Sequence, residues 1–137
     1  MQEPYEIAYL VDRFMRRIAS NVHSKATEID TERVGPIGGM ILLTLSDIQP
    51  VPIHQLVDHM GRDKSQMTRA IKSLETKGMI ERRASPTDGR SSQVQLAPRG
   101  EAFVMDIKKI LSLVIDDILA PVSPAQKQNL IETLRLI

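Results

Sequence analysis

At 137 residues, 42% of them hydrophobic, the chain is long enough for one well-buried core and has the size of a single domain. It contains no cysteine, which excludes disulfides, thiol nucleophiles, cysteine-ligated zinc and thiol-based peroxide sensing. The formal net charge of +1 conceals an uneven distribution: between Arg62 and Arg99 nine basic residues stand against four acidic ones, while the remainder is net acidic, a footprint that fits a polyanion site or a solvated charged face.

The chain opens Met-Gln-Glu-Pro-Tyr-Glu, acidic where a secretory signal is basic, and its longest apolar runs, such as Met40 to Leu43, are too short to span a bilayer. A cytoplasmic protein with no membrane partner is expected. From Tyr5 to about Thr27, the residues Ile7, Leu10, Val11, Phe14, Ile18 and Val22 recur at spacings of three and four, the stripe of a long amphipathic helix. A second helix is predicted from near Pro36, whose fixed φ suits a first helical position, through Ile41, Leu42 and Leu45. Gly38 and Gly39 weaken it by roughly 1 kcal/mol each relative to alanine, so close backbone packing is expected there. Gln49-Pro50-Val51-Pro52 then breaks the chain.

A short helix from Ile53 to about His59 is predicted to stop at Gly61, which can supply a left-handed backbone. The next helix starts almost at once, with Asp63 as its cap and Gln66 at the capping-box position. Met67, Ile71 and Leu74, with Ala70 beside them, form its buried stripe up to Lys77-Gly78. Two short helices joined by a tight glycine turn make a helix-turn-helix pattern. Beyond Gly78 the period falls to two, in Ile80 to Ala84 and again in Gln93 to Leu96, around the turn-forming Ser85-Pro86-Thr87-Asp88-Gly89-Arg90. This predicts a β-hairpin with a basic tip. Pro98 opens a long helix with Phe103, Ile107, Ile110, Leu111, Val114, Ile118 and Leu119 on one face. Ser123-Pro124-Ala125-Gln126 then starts a last helix through Leu130, Ile131 and Leu134.

The wheel face opposite Met67, Ile71 and Leu74 carries Ser65, Arg69, Lys72 and Thr76, flanked by Gln66, Thr68 and Ser73. An α-helix fits the major groove, where arginine can bond guanine, glutamine can pair with adenine and hydroxyls serve either, so this set suits base reading and phosphate binding. Taken alone it is also an ordinary polar helix face. Its place between a helix-turn signal and a basic hairpin favours nucleic acid. Arg90 is the candidate for a minor-groove contact, with Asp88 orienting it or bonding the turn backbone. Lys72, Lys77, Arg82 and Arg83 read as phosphate contacts or solvated charges.

The stretch from Ile53 to Gly100 resembles the DNA-binding core of the multiple-antibiotic-resistance regulator (MarR) family, and the order of elements extends the likeness over essentially the whole chain. The matching residues are Leu56, Gly61, Asp63, Ser65, Thr68, Arg69 and Leu74, then Lys77-Gly78-Met79-Ile80-Glu81-Arg82, Asp88, Arg90, Leu96 and Gly100. The resemblance implies a mainly α fold with a small β-hairpin wing. In it, residues 1–30 and 98–137 form a helical dimerisation region and residues 35–97 a winged helix-turn-helix lobe. It further implies an obligate homodimer that binds a pseudo-palindromic operator in double-stranded DNA and is often released from it by a small-molecule effector. Gly89 stands where the family usually has a second arginine, and Ala97 replaces the usual capping threonine. Gly38 and Gly39 are also unusual for the second helix.

Other function classes find less support. His54 and His59 are five residues apart and do not share a helix face as an i, i+4 metal pair would, and no nucleophile-base motif, phosphate-binding glycine loop or H-E-x-x-H sequence occurs. No enzyme activity, metal or cofactor is therefore expected. The polar faces of the terminal helices mix acids with bases, which suits a partner helix better than a membrane surface. The expectation is a transcription regulator, with a constitutive DNA binder lacking effector control or a winged-helix protein-interaction module as the alternatives.

Overall fold

The computed structural model describes residues 3–26, 30, 32–86 and 92–137. The elements run α1 (Tyr5–Ala26), α2 (Gly35–Ile48), β1 (Val51–Pro52), α3 (Ile53–Met60), α4 (Lys64–Thr76), β2 (Ile80–Ala84), β3 (Ser92–Leu96), α5 (Pro98–Ile118) and α6 (Pro124–Arg135). Two compact units result, Thr27–Lys108 and a helical unit of Met1–Ala26 with Lys109–Ile137.

In the first unit the apolar positions of four helices converge. Ile41, Leu42 and Leu45 of α2, Leu56 of α3, Met67 and Leu74 of α4 and Val94 of β3 are almost completely removed from solvent, with Phe103 and Val104 of α5 packed into the same core. Each such side chain contributes roughly 1.5–3 kcal/mol of burial, which dominates the weak intrinsic preferences of these short elements. The start of α2 is held by a residue whose role the sequence does not advertise: the Asp30 carboxylate accepts from the amides of both Val34 (2.8 Å) and Gly35 (2.9 Å).

The sheet is larger than the predicted hairpin. It has three antiparallel strands in the order β1-β3-β2, with Val51 opposite Val94 and Arg82 opposite Val94 on its other side. Gln49-Pro50-Val51-Pro52 is thus not only a break. Its last two residues form an edge strand, where a proline is tolerated because no ladder donor is needed. The Gln49 side chain prolongs that edge, its Oε1 accepting from Leu96 N at 2.7 Å.

In the helical unit, Phe14, Ile18, Val22 and Ala26 of α1 pack on Ile110, Val114 and Ile118 of α5, with Leu119 beside them. Lys25 and Asp117 form a surface ion pair at 3.5 Å. The predicted capping box of α6 is complete: Ser123 Oγ accepts from Gln126 N, and Gln126 Oε1 accepts from Ser123 N. Much apolar surface stays uncovered. Neither α1 nor α6 contains a buried residue, and Ile7 (70% exposed), Val11, Leu130, Ile131 and Leu134 face outward. Among the described residues no helix is long and apolar enough to cross a membrane.

Candidate nucleic-acid interface

Helix α3 stops at Gly61, whose φ of 62° is the left-handed conformation that glycine adopts without strain. This tight turn puts Asp63 at the cap of α4, where its Oδ1 accepts from Gln66 N at 2.8 Å. Only this forward half of a capping box forms at Asp63 among the described residues, and the Gln66 side chain makes no return bond to the Asp63 amide.

The apolar stripe of α4, Met67, Ile71 and Leu74, is buried in the core, and this turns the other side outward. Ser65, Gln66, Thr68, Arg69, Lys72 and Ser73 are all exposed, so the six candidates on this helix share one solvent-facing surface. Their hydrogen-bonding capacity is not equal. Thr68 Oγ1 donates to Lys64 O at 2.9 Å and Thr76 Oγ1 to Lys72 O at 3.0 Å, so each hydroxyl proton is already used within the helix. Thr68 therefore presents lone pairs and a methyl group. The side chains of Ser65, Gln66, Arg69, Lys72 and Ser73 make no hydrogen bond or ion pair with any described residue. Asp88 and Arg90, the two wing-tip candidates, and Gly89 between them lie outside the described residues.

The basic block divides into committed and uncommitted charges. Lys77 Nζ donates to the carbonyl of Arg33 at 2.7 Å. Arg99 donates to the carbonyl of Lys77 at 3.0 Å and forms an ion pair with Glu32. Arg82 makes a two-pronged pair with Glu75, Nε to Oε2 and Nη2 to Oε1, each at 2.8 Å. Hydrogen bonding to Glu75 raises the Arg82 pKa above its ordinary value, with burial opposing and the Glu75 charge reinforcing. Lys77 and Arg82, read from the sequence as phosphate contacts or solvated charges, are thus engaged within the protein. Arg83 lies on the opposite strand face, donating to Gln95 Oε1 at 3.3 Å, while Gln95 donates to Glu81 at 2.8 Å. Arg62, Lys64, Arg69 and Lys72 are exposed and lack an acidic partner among the described residues.

Two residues matter here that composition and periodicity do not reveal. Gly100 closes the lobe beneath the sheet: a Cβ there would lie 2.0 Å from the carbonyl oxygen of Met79. That oxygen accepts from Ala97 N at 3.0 Å, and the Ala97 methyl is buried where a threonine would have capped α5. Glu75 is the second, because its partner is seven residues away across the Gly78 turn. Among the described residues no group of three or more His, Asp or Glu side chains is gathered to hold a metal ion.

A short helix, a glycine turn, a second helix with an exposed polar and cationic face, and an antiparallel strand pair after it define a winged helix-turn-helix lobe. The MarR family model matches residues 39–92. An HTH-type transcriptional regulator of Bacillus subtilis, YdgJ, is 36% identical over 72 residues, covering 53% of this chain and 44% of that protein. A probable transcriptional regulator from Pseudomonas aeruginosa superposes with a TM-score of 0.74 at 27% identity, covering 96% of each chain. BpsR of Bordetella bronchiseptica, whose DNA binding is regulated by 6-hydroxynicotinic acid, shares the fold with a TM-score of 0.76 at 18% identity, over 98% of this chain and 95% of that one. The chain spans about half the length of the curated relatives it matches. Over residues 39–92 it is similar to the MarR family, and it shares the winged helix-turn-helix fold of these solved regulators.

Proposed function

We propose that two copies of this chain bind an inverted-repeat operator in double-stranded DNA, with α4 in the major groove. The observation that carries the reading is the exposed face of α4, on which Arg69 and Lys72 have no partner among the described residues. Ser65, Gln66, Thr68 and Arg69 face base edges, Lys72 and Ser73 face the phosphate backbone, and Arg90 enters the minor groove with Asp88 supporting it. Arg62 and Lys64, at the start of the same helix, add phosphate neutralisation.

Pairing of chains is supported by the apolar surface that one protomer leaves open. Ile7 and Val11 on α1 and Leu130, Ile131 and Leu134 on α6 lie on the helical stripes yet keep 37–70% of their surface exposed. A twofold partner that buries them holds two recognition helices at a fixed separation, the requirement for reading half-sites about one DNA turn apart. The finer reading is a repressor that a small molecule releases, as 6-hydroxynicotinic acid regulates the DNA binding of BpsR. Its mechanism is a population shift: a ligand that binds a mismatched dimer geometry more tightly lowers operator affinity by the same factor.

The test is selection of bound duplexes from a random pool. An enriched inverted repeat supports the reading, whereas recovery of no preferred sequence would count against it.

A further inference from the structure

We propose that Arg82 acts as a positioning residue, fastening the strand pair to the recognition helix at a fixed angle, and does not contact phosphate. The inference rests on the reading that this lobe binds duplex DNA. Strand register gives Arg82 its place. Ile80, Arg82 and Ala84 lie opposite Leu96, Val94 and Ser92, so Arg82 shares the inward face with the buried Ile80, Val94 and Leu96, while Glu81 and Arg83 take the outer face. On that inner side the guanidinium reaches the last turn of α4 and closes two parallel bonds on Glu75, at 2.8 Å each. Its remaining Nη1 donates to Ser92 Oγ at 3.4 Å, on the rung where the strand pair ends. One planar group thereby ties α4, β2 and β3 together.

The two-pronged geometry matters because it fixes orientation as well as distance, which a lysine at the same place could not do. The charge bookkeeping also separates Arg82 from Arg69 and Lys72. To reach a phosphate, Arg82 would have to abandon Glu75, whose side chain is only 24% exposed, and leave a carboxylate facing the polyanion. A neutralised pair releases no counterions from DNA, so it contributes nothing to the salt dependence of binding. Its contribution is preorganisation: helix and wing must engage their two grooves together, and a wing held in place loses less freedom on binding.

The experiment uses the full chain and the duplex selected above, titrated by fluorescence anisotropy against that operator and a scrambled duplex at several salt concentrations. Arg82→Gln is expected to reduce preference for operator over scrambled duplex by about fivefold, the scale of a well-formed ion pair. The slope of log affinity against log salt stays at the wild-type value. Glu75→Gln makes the lobe more positive yet is expected to weaken operator binding by a similar factor, the opposite sign to a simple charge effect. Exchanging the partners, Glu75→Arg with Arg82→Glu, restores most of the preference.

A slope shallower by about 0.9 in Arg82→Gln, the signature of one lost phosphate contact, would overturn the proposal. Tighter operator binding by Glu75→Gln would do the same, and this sign decides the matter even when the exchanged pair folds poorly. A wild-type chain that prefers no duplex fails the DNA-binding reading itself, whereas a selective wild type with a phosphate-like Arg82 fails only this assignment.

Discussion

The carbonyl oxygen of Met79 occupies the space beside Gly100 so closely that a Cβ built on the glycine would sit 2.0 Å away, with the Met79 carbonyl carbon at 3.0 Å. Backbone cannot yield as a flexible side chain does, and the same oxygen holds the Ala97 amide at the entrance to α5. Gly100→Ala is therefore expected to cost about 3 kcal/mol or more, at the upper end of overpacking effects. Urea denaturation compared with wild type checks this, and a loss below about 1 kcal/mol would mean that α5 can shift away from the sheet at little cost.

Gly38 and Gly39, adjacent in α2, are expected to respond in opposite directions. A Cβ on Gly39 meets only Ile107 Cδ1, at 3.6 Å, an ordinary contact. Gly39→Ala should then stabilise the protein by about 0.5–1 kcal/mol through helix propensity. A Cβ on Gly38 would lie 2.8 Å from Val34 Cγ1, a stiff, buried β-branched side chain, with Leu74 Cδ2 at 3.5 Å. Gly38→Ala should cost roughly 1–2 kcal/mol. Thermal melts of the two variants, side by side, would show Tm moving up in one and down in the other.

Arg69 and Lys72 project from the same helix face but are assigned different partners, so their loss should be distinguishable. Arg69→Ala is expected to weaken operator binding by roughly 1–3 kcal/mol and to relax preference at one base pair. Lys72→Ala should weaken operator and scrambled duplex alike and make the salt slope shallower by about 0.9. Anisotropy titrations with single-base operator variants provide both readouts. An Arg69→Ala protein that discriminates between those variants as wild type does would remove Arg69 from base reading.

How much of this was legible beforehand depends on the range over which each residue acts. Asp63, Gly61 and Ser123 act within three or four residues of themselves, so caps and stops could be read along the chain. The stripe Met67, Ile71, Leu74 named the buried side of α4, and with it the exposed side. Strand β1 was not legible because two residues, one a proline, are too short to show alternation. Asp30 escaped notice because its carboxylate reaches amides four and five residues ahead from outside the helix. Arg82 looked like any cation near DNA until the fold brought Glu75 against it. Gly100 was named as part of the family resemblance, but its reason was not legible, since only the path of Met79 shows why a side chain is excluded there.

A dimer that holds two recognition helices at a set spacing is most directly tested by altering the spacing on the DNA. The selected inverted repeat and a duplex with about five base pairs inserted between its half-sites, half a helical turn, are titrated with the purified protein at one salt concentration. The insertion places the second half-site on the opposite face of the duplex, and affinity is expected to fall to that of scrambled DNA. Equal affinity for the two duplexes would contradict coupled reading by paired chains.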